Sequence, residues 1–227
     1  MNELTDQASL HATRTAYDTV AVNYAERVPP AFEGDLHGRA MIGTFAQLTR
    51  TLGAGPVADL GCGPGHVTAH LRSLGVSAFG IDLSPGTVAV ARRRYPELRF
   101  DEGSMTDLDL ADGSLGGIIA WYSIVHTPWE LLPVVFAEFH RVLAPGGHLL
   151  MAFKAGDKLK HLENAYGHEL SLDVYWMSPD RIAELLGRAG LTVDARLITE
   201  PKEQDRPRQG QQAYFLVRKP EAGDSRP

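Results

Sequence analysis

The 227-residue chain reads as an α/β fold: a seven-stranded, mostly parallel sheet with its last strand antiparallel and helices on both faces. Three observations predict it. Short apolar runs alternate with stretches of helical period, which implies parallel strands joined by crossover helices. The first run hands over to a helix through a turn holding Gly61, Gly63 and Gly65. Near the C-terminus, LTVDARLI and QAYFLVRK are joined by the polar link TEPKEQDRPRQG, which fits no crossover helix, so these two strands pair antiparallel.

In chain order, Leu10, Thr13, Tyr17, Val20, Ala21 and Tyr24 recur at helical spacing and predict a helix from 9 to 26. The stretch RVPPAFEGD, with two prolines and a glycine, is expected to end it. A second helix is expected over 35–52, with Leu36, Ala40, Phe45, Leu48 and Leu52 on its buried side. Strands follow at PVADL, SAFGID, LRFDEG, GGIIAWY and GHLLMAF, with helices near 66–74, 85–95 and 129–143. Ser84-Pro85 and Ser178-Pro179 each read as an N-cap with proline at the first helical position. In the helix after Ser178, Ile182, Leu185 and Leu186 face inward and Gly190 ends the run. Between these elements AGDKLKHLENAYGHELSLDVYW carries no clean period and reads as a lid or loop. The whole makes one domain, 1–227: a helical lid (1–52), a core (53–153), a second lid (154–177), a last helix and strand pair (178–219), and a disordered tail (220–227).

Composition narrows the function. A formal charge of −6 opposes a dedicated nucleic-acid binder, which needs surplus Lys and Arg for phosphates. The Arg92-Arg93-Arg94 run spreads around a helix and reads as a solvated face, as do Glu163 and Asp173. The single cysteine, Cys62, rules out an internal disulfide and a cysteine-built zinc site, and reads as a small residue that fits between glycines. His161, His168 and Glu169 match no regular ligand spacing, so no metal is expected. The opening MNELTDQASLHATRT has no secretory pattern, and no apolar run reaches the length of a bilayer. A cytoplasmic location with no membrane partner is the expectation.

Glycines between a strand and a helix permit positive φ and remove the Cβ atoms that would hold a ligand away. Asp82 ends the next strand, about 20 residues on, where a carboxylate accepts hydrogen bonds from ribose hydroxyls. Two cofactor classes share this outline. Dinucleotide enzymes carry G-x-G-x-x-G, with the helix N-terminus on a pyrophosphate. Here the turn is Gly61-Cys62-Gly63-Pro64-Gly65 with Asp59 just before it, and Pro64 lacks the amide that a pyrophosphate would use. A ligand with an amino-acid portion needs less anion binding and finds an acid for its ammonium.

DLGCGPG resembles the first motif of class I S-adenosylmethionine-dependent methyltransferases, and IDLS around Asp82 resembles their second. GSMTDLDLADGSLGGIIAWYSIVH is similar to their third and fourth motifs, and RVLAPGGHLLMAF to their helix, turn and fifth strand. YDTVAVNYAE resembles the aromatic-containing opening helix of many small members. The resemblance covers most of residues 16–153 and implies a Rossmann-like fold, S-adenosylmethionine as cofactor and S-adenosylhomocysteine as product. It implies that Asp59, Gly61 and Gly63 lie against the methionine part and that Asp82 accepts from the ribose, with Leu83 beside the adenine. Ser104 and Met105 would bracket the adenine, and Ala120 and Trp121 would border the sulfonium. Tyr17 and Tyr24, two turns apart, either close over the carboxylate end or pack as part of the lid.

Methyl transfer is an in-line displacement whose electrophile the cofactor supplies, so the protein aligns the acceptor, excludes water and removes a proton where there is one. His126, just beyond the fourth strand, is the candidate base, because open parallel sheets bind outside the carboxyl ends of their strands. Its other readings are a cofactor hydrogen bond or a helix cap. Tyr166, His168, Tyr175 and Trp176 in the second lid are the candidate acceptor residues, or else pack on the domain. WYSI stands where the family's Asn-Pro-Pro-Tyr motif for base amines would be, which favours a small-molecule hydroxyl, amine or carboxyl. Two other readings compete: a nicotinamide-dependent oxidoreductase, and a non-catalytic cofactor-binding subunit. Glycine spacing, the reversed last strand and the lack of Tyr-x-x-x-Lys oppose the first. Acceptor identity and oligomeric state are not encoded in these motifs.

Overall fold

The computed structural model describes residues 3–201 and 210–221. Most of the expected tail, from 222 onward, lies outside the described residues. The elements are α1 (Glu3–Glu33), α2 (Leu36–Leu52), β1 (Val57–Leu60), α3 (His66–Ser73), β2 (Ala78–Asp82), α4 (Pro85–Arg94), β3 (Phe100–Glu102) and β4 (Leu115–Trp121). Then come a short 3-10 turn (Ile124–His126), α5 (Leu132–Val142), β5 (Leu143–Ala155), β6 (Lys158–Ala165), β7 (His168–Trp176), α6 (Pro179–Arg188), β8 (Thr192–Thr199) and β9 (Gln211–Arg218).

Seven strands form one sheet in the order β3-β2-β1-β4-β5-β9-β8. β1 to β5 pair parallel, and β9 alone is reversed, antiparallel to both β5 and β8. The order turns back between β1 and β4, so a crevice opens beyond their carboxyl ends. Strand alternation feeds two cores. Ile118 and Ala120 join Phe136, Phe139, Ile182 and Leu186 on the α5–α6 side, whereas Ile119 joins Ile42, Phe45, Val67 and Leu71 on the α2–α3 side. Burial of both faces is why these strands read as continuous apolar runs.

Four expectations need correction. α1 runs on through Pro29 and Pro30 to Glu33 rather than stopping at 26. Proline at 29 leaves the Ala25 carbonyl without its helical donor, and Arg94 Nη1 donates to that carbonyl instead. The arginine run is therefore more than a solvated face, since Arg92 also donates to the Phe100 carbonyl at 2.9 and 2.6 Å. On α2 the buried residues are Gly38, Ile42, Phe45, Ala46 and Thr49, and Leu36 is 73% exposed. Packing on the sheet, not the count of apolar positions, set that phase. Finally, the second lid is a β-hairpin, β6 paired antiparallel with β7. A bulge between Leu162 and Asn164 shifts the register, which hides the two-residue period from the sequence. Among the described residues no helix is long and apolar enough to cross a membrane.

Candidate active site

The glycine turn leaves β1 at Leu60, and Gly61 and Gly63 adopt φ of +73° and +52°. The Gly61 and Cys62 amides donate to the Ile81 carbonyl at 2.8 and 3.1 Å, tying the turn to β2. A Cβ on Gly61 would lie 2.3 Å from Ser123 Cβ, and one on Gly63 would lie 3.2 Å from Tyr24 Cε1. Glycine is thus demanded here by backbone conformation and by protein neighbours on both sides, and not by a ligand alone. Cys62 is buried, its thiol pushed up by burial and by the nearby carboxylates, and it fills space against Gly80.

Two acids flank the turn. Asp59 lies wholly buried beneath it, with Oδ2 accepting from Thr68 Oγ1 at 2.6 Å and Oδ1 without a partner. Burial pushes its carboxyl up to about 7. Asp82 faces the crevice. Its Oδ2 accepts from the Gly63 amide at 2.7 Å, and its Oδ1 from the Ser84 amide and Thr87 Oγ1, each at 2.9 Å. A carboxylate offers about four acceptor sites, so one on Oδ2 is left for a ligand hydroxyl. Burial raises this acid as well.

α1 closes the crevice from above. Asp18 Oδ1 accepts from Ser84 Oγ at 2.6 Å and the Gly86 amide at 2.9 Å, fixing α1 to the start of α4. Tyr24 rests on Gly63 and meets Tyr17 edge-on, ring centroids 5.2 Å apart. The Tyr17 hydroxyl is 2.8 Å from His126 Nε2, and His126 Nδ1 is 2.8 Å from the Asp173 carbonyl. A carbonyl only accepts, so Nδ1 carries the proton and the Nε2 lone pair accepts from Tyr17. Burial holds His126 below its ordinary range, with the Asp173 carbonyl opposing, so the ring is neutral at neutral pH. Burial also raises the Tyr17 hydroxyl well above its usual value, which keeps it protonated. Asp173, read from sequence as solvated, holds His126 by its carbonyl and His161 Nδ1 by its carboxylate at 2.7 Å.

The resulting cleft encloses about 800 Å³, part of it open to solvent. Tyr17, Tyr24, Gly61, Gly63, Asp82, Leu83, Ser104, Met105, Trp121 and His126 all line it, so ten of the expected residues converge. Asp59 and Ala120 lie behind its wall. The four residues of the second lid do not line it. Trp176 is buried against the core, with Lys158 Nζ 3.6 Å above its ring, and Tyr175 packs on the same cluster. His168 and Tyr166 contact α1 instead, through Asn23 and Tyr24. Sequence reasoning missed Ser123, a cleft-lining residue whose Oγ is buried without a partner, and Tyr122, held at φ +54°. Their only sequence signal was position just after β4. It also missed Arg14, a cleft-lining cation on α1.

Residues 57–147 match the family described as methyltransferase domain. That span is a methyltransferase domain. The matched span runs from β1 to the turn within β5 and contains Asp59, the glycine turn, Asp82 and His126, whereas α1 and the hairpin lie outside it. The malonyl acyl-carrier-protein O-methyltransferase of Pectobacterium atrosepticum is 32% identical over 134 residues, 54% of this chain and 52% of that protein. The demethylmenaquinone methyltransferase of Chlorobaculum parvum is 36% identical over 92 residues, 40% of this chain and 37% of that protein. The chain spans about half the length of the curated relatives it matches. The 1,6-didemethyltoxoflavin-N1-methyltransferase of Burkholderia thailandensis, solved with 1,6-didemethyltoxoflavin and S-adenosylhomocysteine bound, aligns over 93% of this chain and 90% of its own. Its TM-score of 0.64 at 21% identity marks a shared fold.

Proposed function

We propose that the chain transfers a methyl group from S-adenosylmethionine to a hydroxyl, amine or carboxyl of a small-molecule acceptor. The observation that carries this reading is the glycine turn flanked on the cleft by Asp82, whose Oδ2 keeps an unused acceptor site, and by Ser123. A ligand that brings hydroxyls at one end and an amino-acid portion at the other suits that pair. Malonyl, quinone and toxoflavin acceptors in the names of related proteins support a small acceptor, and a charge of −6 opposes a nucleic acid.

In this reading Asp82 holds the ribose, Leu83 and Met105 pack the adenine, and Ser104 meets its edge. Gly61, Gly63 and Ser123 lie along the methionine part, Asp59 supports it from beneath, and Trp121 borders the sulfonium with Ala120 behind. When bound, the cofactor supplies the methyl group as electrophile. Tyr17 and His126 remove the proton of an acceptor that bears one. The Tyr17 oxygen takes that proton as its own passes to His126 Nε2, and the Asp173 carbonyl holds the Nδ1 proton of the ring throughout. Tyr17 and Tyr24 cover the reacting region and exclude water, which strengthens every charge interaction beneath them.

Calorimetric titration with S-adenosylhomocysteine, NAD and NADP under one set of conditions tests the reading. Micromolar binding of the first alone supports it. Binding of a dinucleotide, or silence from all three, overturns it.

A further inference from the structure

We infer that Tyr166, at the tip of the β6–β7 hairpin, is a positioning residue that presses Tyr24 onto the glycine turn and thereby slows release of the bound cofactor. The inference rests on the cofactor reading above and assigns the second lid a role in retention. Ala165 and His168 are paired, which leaves Tyr166 and Gly167 as a two-residue turn with φ of 55° and 86°. Positive φ at both positions marks a turn that favours Asn-Gly. Tyrosine there is strained, and such strain persists where the surroundings hold it in place.

What holds it is α1. The Tyr166 ring meets Tyr24 edge-on, with centroids 5.2 Å apart and planes at 85°. Tyr24 in turn lies 3.2 Å from where a Cβ of Gly63 would be, and the Gly63 amide donates to Asp82 Oδ2 at 2.7 Å. The tip backbone is tied to the neighbouring residue of the same helix: Asn23 Nδ2 donates to the Tyr166 carbonyl at 2.9 Å and lies 3.2 Å from His168 Nε2. One hairpin tip therefore grips Asn23 by its backbone and Tyr24 by its ring. Lifting α1 off the turn, which a ligand beneath it must await, breaks both grips together. An asparagine at 166 would satisfy the turn and lose the ring contact, so turn stability and cofactor retention are separable.

The test compares wild type, Tyr166→Asn and Tyr166→Phe for S-adenosylhomocysteine dissociation rate, Kd and Tm. Tyr166→Asn is expected to release S-adenosylhomocysteine about tenfold faster, the factor that an edge-to-face aromatic pair supports at the upper end of its range, with Tm held or raised. Tyr166→Phe keeps the ring and is expected to keep the wild-type rate. An unchanged rate in Tyr166→Asn overturns the clamp, as does a faster rate with a lowered Tm that phenylalanine does not rescue. A wild-type chain that binds no S-adenosylhomocysteine fails the cofactor reading instead. The clamp is then judged by amide exchange of the free protein over residues 20–26 and 61–65. Faster exchange there in Tyr166→Asn supports it, and unchanged exchange overturns it.

Discussion

Replacing Asp59 with asparagine should remove a pH dependence of stability that the wild-type fold carries. Asp59 is wholly buried, and one of its oxygens has no partner, so burial moves its carboxyl from the usual 3.8 to about 7. Between those values the folded protein retains a proton that the unfolded chain has released. Stability from this group therefore falls as pH rises from about 4 to about 7, by about 1.4 kcal/mol per pH unit. The accumulated loss is on the order of 4 kcal/mol, a large part of an ordinary folding free energy. Urea unfolding of wild type and Asp59→Asn, measured at intervals across that window, gives the contribution as a difference, so other titrating groups cancel. The variant is expected to gain on wild type steadily up to pH 7 and no further above it. Two curves that stay parallel across the window would refute the reasoning, because they would require a carboxylate that ionises freely inside the fold.

Three further outcomes follow from the site and its supports. Asp82→Ala strips the acceptor from the Gly63 and Ser84 amides and from any ribose; S-adenosylhomocysteine affinity should fall on the order of 10- to 100-fold, the worth of one hydrogen bond to a charged group, and an unchanged calorimetric Kd would remove Asp82 from the cofactor site. His126→Ala should leave that Kd nearly unchanged while turnover of a proton-bearing acceptor drops roughly 10²–10⁴-fold, with the acid limb of the rate profile, which burial places below the ordinary histidine range, lost; retention of that limb would exclude the ring as proton acceptor. Arg94→Ala uncovers the Ala25 carbonyl that Pro29 leaves unpaired, and chemical denaturation should show a loss of about 1–3 kcal/mol; no loss would mean that another donor reaches that carbonyl.

The sheet, the glycine turn and Asp82 were legible in the sequence because each is set by short-range rules. Period, proline, serine caps and glycine punctuation act within a few residues, and one strand–helix–strand unit carries Asp82 from the turn to the cleft. Even the reversed β9 was readable, since its link to β8 was expected to fit no crossover helix. Tertiary structure decided what depends on distant partners. Where Pro29 removes a helical donor from α1, Arg94, 69 positions from Ala25, supplies one. His126 has its tautomer and its occupied lone pair from Asp173, 47 positions on, and from Tyr17, 109 positions back. The hairpin hides its period behind a bulge and turns its aromatics toward α1 and the core rather than the cleft. Local propensity is written residue by residue, but a hydrogen bond between remote groups exists only once the chain between them has folded. For that reason the cleft wall and the helix over it were legible in the sequence alone, and the contacts that tie that helix to α4, His126 and the hairpin were not.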